Sequence, residues 1–253
     1  MFRARGAIPR RPMTYTHHMQ PGQFSGSYPL FRFFDIRVYL HWSWFIMAAV
    51  LVELRTKQMG MIWQQALLEV LALFGIVLLH EFGHALACKS VGGEAKTIVL
   101  WPLGGVAFVK PPQRPWPVLW SLVAGPLVNV VLVPVTYVLM ASTDHELARA
   151  MFLINFVLLI FNMLPFYPLD GGQILQTILW MMMNRWRAMQ AASAIGVAGA
   201  IALAVLGFNF GQYFLIFMAF FVGSQAMEGF RVARELAEAE RRLGGPIPPV
   251  DAS

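Results

Sequence analysis

Apolar positions along this chain fall in long blocks, not in short alternations. They occupy residues 38–54, 62–88, 117–141, 149–168, 190–208 and 211–228. Each block is near the roughly 20 residues that a helix needs to cross a hydrocarbon layer about 30 Å thick. The pattern predicts six transmembrane helices. Residues 173–187 are also apolar, but the run is short and ends in Arg185 and Arg187, which suits a helix lying in the interface. Between the second and third blocks, two short β-prone runs at 97–101 and 105–109 flank Leu103, Gly104 and Gly105. They predict a re-entrant β-hairpin at the membrane edge. The expected fold is therefore an all-α polytopic membrane protein of six transmembrane helices with one short hairpin between helices 2 and 3.

Three regions follow from this pattern. Residues 1–28 hold Arg3, Arg5, Arg10 and Arg11 among several Pro and Gly, with too little apolar surface to order themselves, and read as a disordered basic arm. Residues 29–228 form the membrane domain. Residues 229–253 read as a cytoplasmic helix and tail, with Glu238 and Arg242 one turn apart and a stop at Gly244, Gly245 and Pro246. The first long apolar run begins too far from the N-terminus for a secretory signal peptide, so no cleavage is expected there.

Composition strengthens the membrane reading. Apolar residues make up 58% of the 253 and charged residues 13%, about half the usual share, so the chain lacks the polar surface a soluble domain needs. A net charge of +6 raises the question of nucleic acid. The distribution answers it. With a cytoplasmic N-terminus and six spans, sixteen of the 19 Lys and Arg fall on the cytoplasmic side, leaving only Arg55, Lys57 and Arg149 outside. No nucleic-acid partner is needed, and both termini are expected in the cytoplasm. Cys88 is the single cysteine, so neither an intrachain disulfide nor a cysteine metal cluster can form.

Ionisable groups within a bilayer are costly and usually functional. The second apolar block carries His80-Glu-Phe-Gly-His84. At 100° per residue both imidazoles and Glu81 share one helical face within a turn, so the two His can reach one metal ion. Zinc suits such ligands, and the adjacent Glu is placed to take a proton from a water on the metal. A third ligand must come from elsewhere. Asp170 is the only Asp in or at the edge of a span, in the stretch NMLPFYPLDGG at 162–172. Pro165 and Pro168 break the helix there, and broken backbone at membrane depth lines a cavity or is buried by protein. The charge-derived topology brings the ends of the second and fourth spans to the same side.

Other polar residues have plainer explanations. Cys88 continues the face of His84, but lies about 12 Å along the axis from His80 and reads as a small buried residue. Glu69 lies about 16 Å toward the outer side of the same helix and reads as a structural hydrogen-bonding group. In the third span, Gly125, Pro126 and Asn129 suggest a kinked packing interface, with Asn129 helping to shape the site.

Taken together, HEFGH at 80–84, PLGGVA at 102–107, AGPLVN at 124–129 and NMLPFYPLDGG at 162–172 resemble the site-2 protease family of intramembrane zinc metalloproteases. RVYLHWSWF at 37–45 is similar to the family's entry to its first span, and the likeness covers about residues 29–190. It implies His80, His84 and Asp170 as ligands of Zn2+, Glu81 as catalytic base, and Asn162 as a catalytic polar group near the oxyanion. It also implies substrates that are membrane-tethered regulators or signal-peptide remnants; a bacterial cytoplasmic membrane is the expected location, with an organelle membrane the alternative. A compact form is expected, since no outside loop has room for a PDZ domain and the tail after 228 is too short for paired CBS domains.

The expected reaction is peptide-bond hydrolysis in transmembrane segments near the cytoplasmic face. A substrate helix must unwind before its carbonyls can be attacked, and strand addition to the hairpin edge would replace the lost bonds. Gly104, Gly105, Val106 and Asn129 are accordingly expected to contact substrate. The rivals are a zinc transporter and a non-catalytic scaffold for membrane helices.

Overall fold

The structure is a computed structural model that describes residues 26–102 and 104–243. Among these residues the elements run β1 (Ser27–Phe33), β2 (Ile36–His41), α1 (Ser43–Met59), α2 (Trp63–Ser90), β3 (Glu94–Trp101), β4 (Gly104–Lys110), α3 (Pro115–Ser142), α4 (Glu146–Asn162), α5 (Asp170–Met182), α6 (Arg185–Asn209) and α7 (Tyr213–Leu243).

The expected hairpin is half of a larger sheet. Four strands pair in the order β1-β2-β3-β4, antiparallel at both ends and parallel between β2 and β3. The reason lies in residues 36–41, where Ile36, Val38 and Leu40 are buried and the residues between them are more exposed. That is the period of a half-buried strand. In sequence it merges with the apolar run that follows, because Tyr39 on the outer face is itself apolar. The first span therefore begins later, as α1, and ends at Gly60 with φ +66°, a left-handed cap that suits glycine. The arm expected over 1–28 lies outside the described residues up to 25, whereas Ser27 and Tyr28 open β1.

The six expected spans are also redrawn. Four helices, α2, α3, α6 and α7, are long and apolar enough to cross a membrane. α1 and α4 have 17 residues each, at the short end of what spans a bilayer. The expected block 149–168 ends as helix at Asn162, where the Pro-rich turn interrupts it. The short interfacial helix begins earlier than expected, at Asp170, and stops at Met182, so Arg185 and Arg187 belong to α6. α7 is one continuous helix of 31 residues that joins the last apolar block to the polar segment expected to be separate.

Two packing units result. Ile36, Val38, Leu40, Ala95, Ile98 and Leu100 of the sheet close over Phe82, Ala85 and Cys88, on the C-terminal half of α2. The sheet thus sits directly against the segment that carries His80, Glu81 and His84. α6 and α7 pair along small residues, including Ser193, Gly196 and Ala200 facing Val222, Ala226 and Gly229. Helices in lipid associate through such close van der Waals contact, because the hydrocarbon offers no competing hydrophobic gain.

Candidate metal centre

α2 carries His80 and His84 one turn apart, and their rings meet edge to face with centroids 4.7 Å apart. Asp170 comes from the first turn of α5, where the helix N-terminus favours a carboxylate. Its position depends on the glycines that follow. A Cβ at Gly171 would strike the carbonyls of Met163 and Leu164, and one at Gly172 the backbone of Phe166 and Tyr167. Only without these side chains can the 163–169 turn fold back across the start of α5.

The three donor atoms converge. His80 Nε2 lies 3.0 Å from Asp170 Oδ2, His84 Nε2 lies 3.3 Å from the same oxygen, and the two Nε2 atoms are 3.1 Å apart. Ligands at zinc distances in a tetrahedron stand about 3.3 Å from one another. The hydrogen-bond network fixes which nitrogens carry protons. Asn155 Nδ2 donates to the main-chain carbonyl of Asn129 at 3.0 Å, so Asn155 Oδ1 is the acceptor for Asn129 Nδ2 at 2.7 Å. Asn129 Oδ1 is then the acceptor for His80 Nδ1–H at 2.5 Å. His84 Nδ1–H likewise donates to the carbonyl of Ser121 at 2.8 Å. In the neutral imidazoles both Nε2 atoms are therefore bare lone pairs, aimed at a carboxylate oxygen in a buried site. Three lone pairs held this close repel unless a cation sits among them, so the residues fit zinc.

α3 is admitted to this site by glycine. A Cβ at Gly125 would fall on the imidazole of His84, and one at Gly83 would meet the carbonyl of Ala124, 2.6 Å away. Glu81 points to the sheet, where its Oε2 accepts the Ala107 N–H at 2.9 Å.

Asn129 lies elsewhere than expected. Expected among the substrate contacts, it is fully buried with both ends of its amide engaged by His80 and Asn155. It orients a ligand. Asn155 is not among the expected site residues, although an amide in the middle of the apolar run of α4 is a signal for it. Asn162 lies on the same face of α4 two turns later, half-buried at the helix end. Gly104, Gly105 and Val106 open β4, with Val106 turned outward. Cys88 is buried beneath the sheet with its Sγ beside the carbonyl of Glu94, away from the imidazoles. Glu69 forms an ion pair with Arg55 of α1 at 3.2 Å.

Comparison with known proteins gives consistent matches. Residues 48–168 match the peptidase M50B-like family model and residues 139–207 the peptidase family M50 model. A zinc metalloprotease of Methanocaldococcus jannaschii is 31% identical, covering 80% of this chain and 60% of the relative. Stage IV sporulation protein FB of Bacillus subtilis is 34% identical over 42% of this chain and 38% of that protein. The solved structure of the site-2 protease from Methanocaldococcus jannaschii superposes with a TM-score of 0.64 at 28% identity, covering 81% of this chain and 95% of that one. The chain spans about 60% of the length of the curated metalloproteases it matches.

Proposed function

The chain belongs to the site-2 protease, or peptidase M50, family of zinc metalloproteases, and we propose that it hydrolyses peptide bonds within transmembrane segments of membrane proteins. The observation that carries this reading is the meeting of His80, His84 and Asp170 with Glu81 at the next position on the same helix. When bound there, zinc supplies a Lewis acid that acidifies a water and polarises a carbonyl. Glu81 takes the proton of the attacking water and passes it to the leaving amine. Asn129 and the Ser121 carbonyl keep both imidazoles oriented, and Asn162 is assigned to the developing oxyanion from its place ahead of the Pro-rich turn.

Substrate binds in this reading as an added strand along the edge of β4 opposite β3, beginning at Gly104, Gly105 and Val106. The chain crosses a bacterial cytoplasmic membrane six times, with α1 and α4 as short spans, α5 in the interface and both termini in the cytoplasm. The sixteen-to-three split of basic residues supports this orientation. Residues 29–228 form the protease domain, 1–28 a basic arm and 229–253 a cytoplasmic extension. Its substrates are membrane-tethered regulators or remnant signal peptides.

The test is reconstitution with zinc and candidate single-span substrates, reading cut sites by mass spectrometry. Wild-type protein should cut, and Glu81→Gln should bind zinc without cutting. Zinc flux across vesicles in place of cleavage would make it a transporter. Helix binding unaffected by Glu81→Gln, again without cleavage, would make it a scaffold.

A further inference from the structure

Among the described residues β4 pairs with β3 alone, so its other edge has no strand partner there. Successive residues of a strand direct their N–H groups to opposite edges. Ala107 sends its N–H out of the β3–β4 ladder, because the acceptor is Glu81 Oε2 on α2. Its neighbours Val106 and Phe108, opposite Val99 and Thr97, face β3 instead. Two residues before Ala107, the space that a side chain at Gly105 would fill holds the Glu81 carboxylate, with Cδ 2.8 Å and Oε1 2.9 Å from the Cβ position. The donor on the docking edge next to the metal site is thus already occupied, and its occupant is the base.

An arriving strand needs that donor for one of its own carbonyls. We propose that Glu81 is the resident occupant of the docking edge, and that a substrate strand pairing with β4 displaces the carboxylate from Ala107 and frees it for the attacking water. Docking and release of the base are then one event. The exchange is local: a substrate carbonyl replaces a carboxylate oxygen on one N–H, and the carboxylate turns to the water that the unwound peptide brings it near. Gly105 is the slot that lets Glu81 park beneath the strand when no substrate is present. This inference rests on the docking reading given under the proposed function.

The test compares two zinc-loaded variants that do not cut. Glu81→Gln keeps an acceptor for the Ala107 N–H, and Glu81→Leu fills similar volume without one. The probe is a fluorescein-labelled single-span helix with an Asn-Pro pair near its cytoplasmic end, titrated in nanodiscs. Glu81→Leu should bind it about three- to tenfold tighter than Glu81→Gln, the worth of one hydrogen bond that no longer has to be broken. In an Ala107→Pro background, which removes the N–H without touching the ladder, the two should bind alike. Equal affinities in the native background, or no binding to either variant, would overturn the proposal. If Ala107→Pro does not fold, the Gln and Leu comparison decides alone. Cleavage of the same probe by wild-type protein reports separately on the protease reading: cutting without an affinity gap sinks only the coupling, and a gap without cutting sinks only the protease.

Discussion

Asn155 on α4 donates its side-chain amide to the main-chain carbonyl of Asn129 on α3, and this bond determines the protonation pattern of His80. A carbonyl can only accept. The direction of every later bond follows from it, ending with His80 Nε2 as a bare lone pair facing Asp170. Asn155→Leu should therefore weaken zinc binding by about 10- to 100-fold, the range for lost support behind a ligating imidazole. Asn129→Ala should do the same, whereas Asn129→Asp, which keeps the acceptor for His80 but sets an oxygen against Asn155 Oδ1, should fall between Asn129→Ala and wild type. Competition against a chelator of known affinity measures all three.

Asp170→Ala removes the only anionic ligand and should leave protein with less than one tenth of the wild-type zinc content. Metal analysis after gel filtration decides it. Retention of a full equivalent would mean that the two imidazoles suffice.

Zinc removal should destabilise the fold around α2, α3 and α5, because the three converging lone pairs are left facing one another. A metal held at about 1,000 times its dissociation constant contributes about 4 kcal/mol to the stability of the state that binds it. Thermal unfolding in detergent should fall on chelation and recover when zinc is restored. The same comparison on Asp170→Ala should show almost no change.

Gly125→Ala puts a methyl group onto the His84 imidazole and should abolish zinc binding. Gly223→Ala is the control, since its Cβ would stand 3.5 Å from Ala200, an ordinary contact. It should change stability by no more than about 0.5 kcal/mol.

Gly229→Ala meets the hydroxyl of Ser193 across the α6–α7 pair. Overpacking of this kind costs about 1–3 kcal/mol. Ser193 is fully buried and its hydroxyl has no hydrogen-bond partner among the described residues, so Ser193→Ala removes both the clash and an unsatisfied group. The double variant should recover most of the loss, read from thermal melts as a non-additive cycle.

Much of this molecule is legible in one dimension. The pairing of His80 with His84 follows from helical period, the helix break before Asp170 from two prolines, and the exclusion of a soluble fold from the scarcity of charge. These are properties of neighbouring residues, and local sequence carries them. The strand at 36–41 is hidden because Tyr39, on its outward face, is apolar and joins Val38 and Leu40 to the long run that follows, so the alternation shows only once the sheet buries one face. The partners of the site are further out of reach. Ser121 serves through its carbonyl and Ala107 through its N–H, groups that nearly every residue possesses and that no side-chain pattern marks. Asn155 has a visible side chain, yet its partner lies 26 positions away on another helix. Sequence alone determined which residues could ligate a metal. Only the packing of α3, α4 and the sheet around α2 decided which nitrogens are bare and where the carboxylate of Glu81 rests, because those depend on backbone groups brought together from distant parts of the chain.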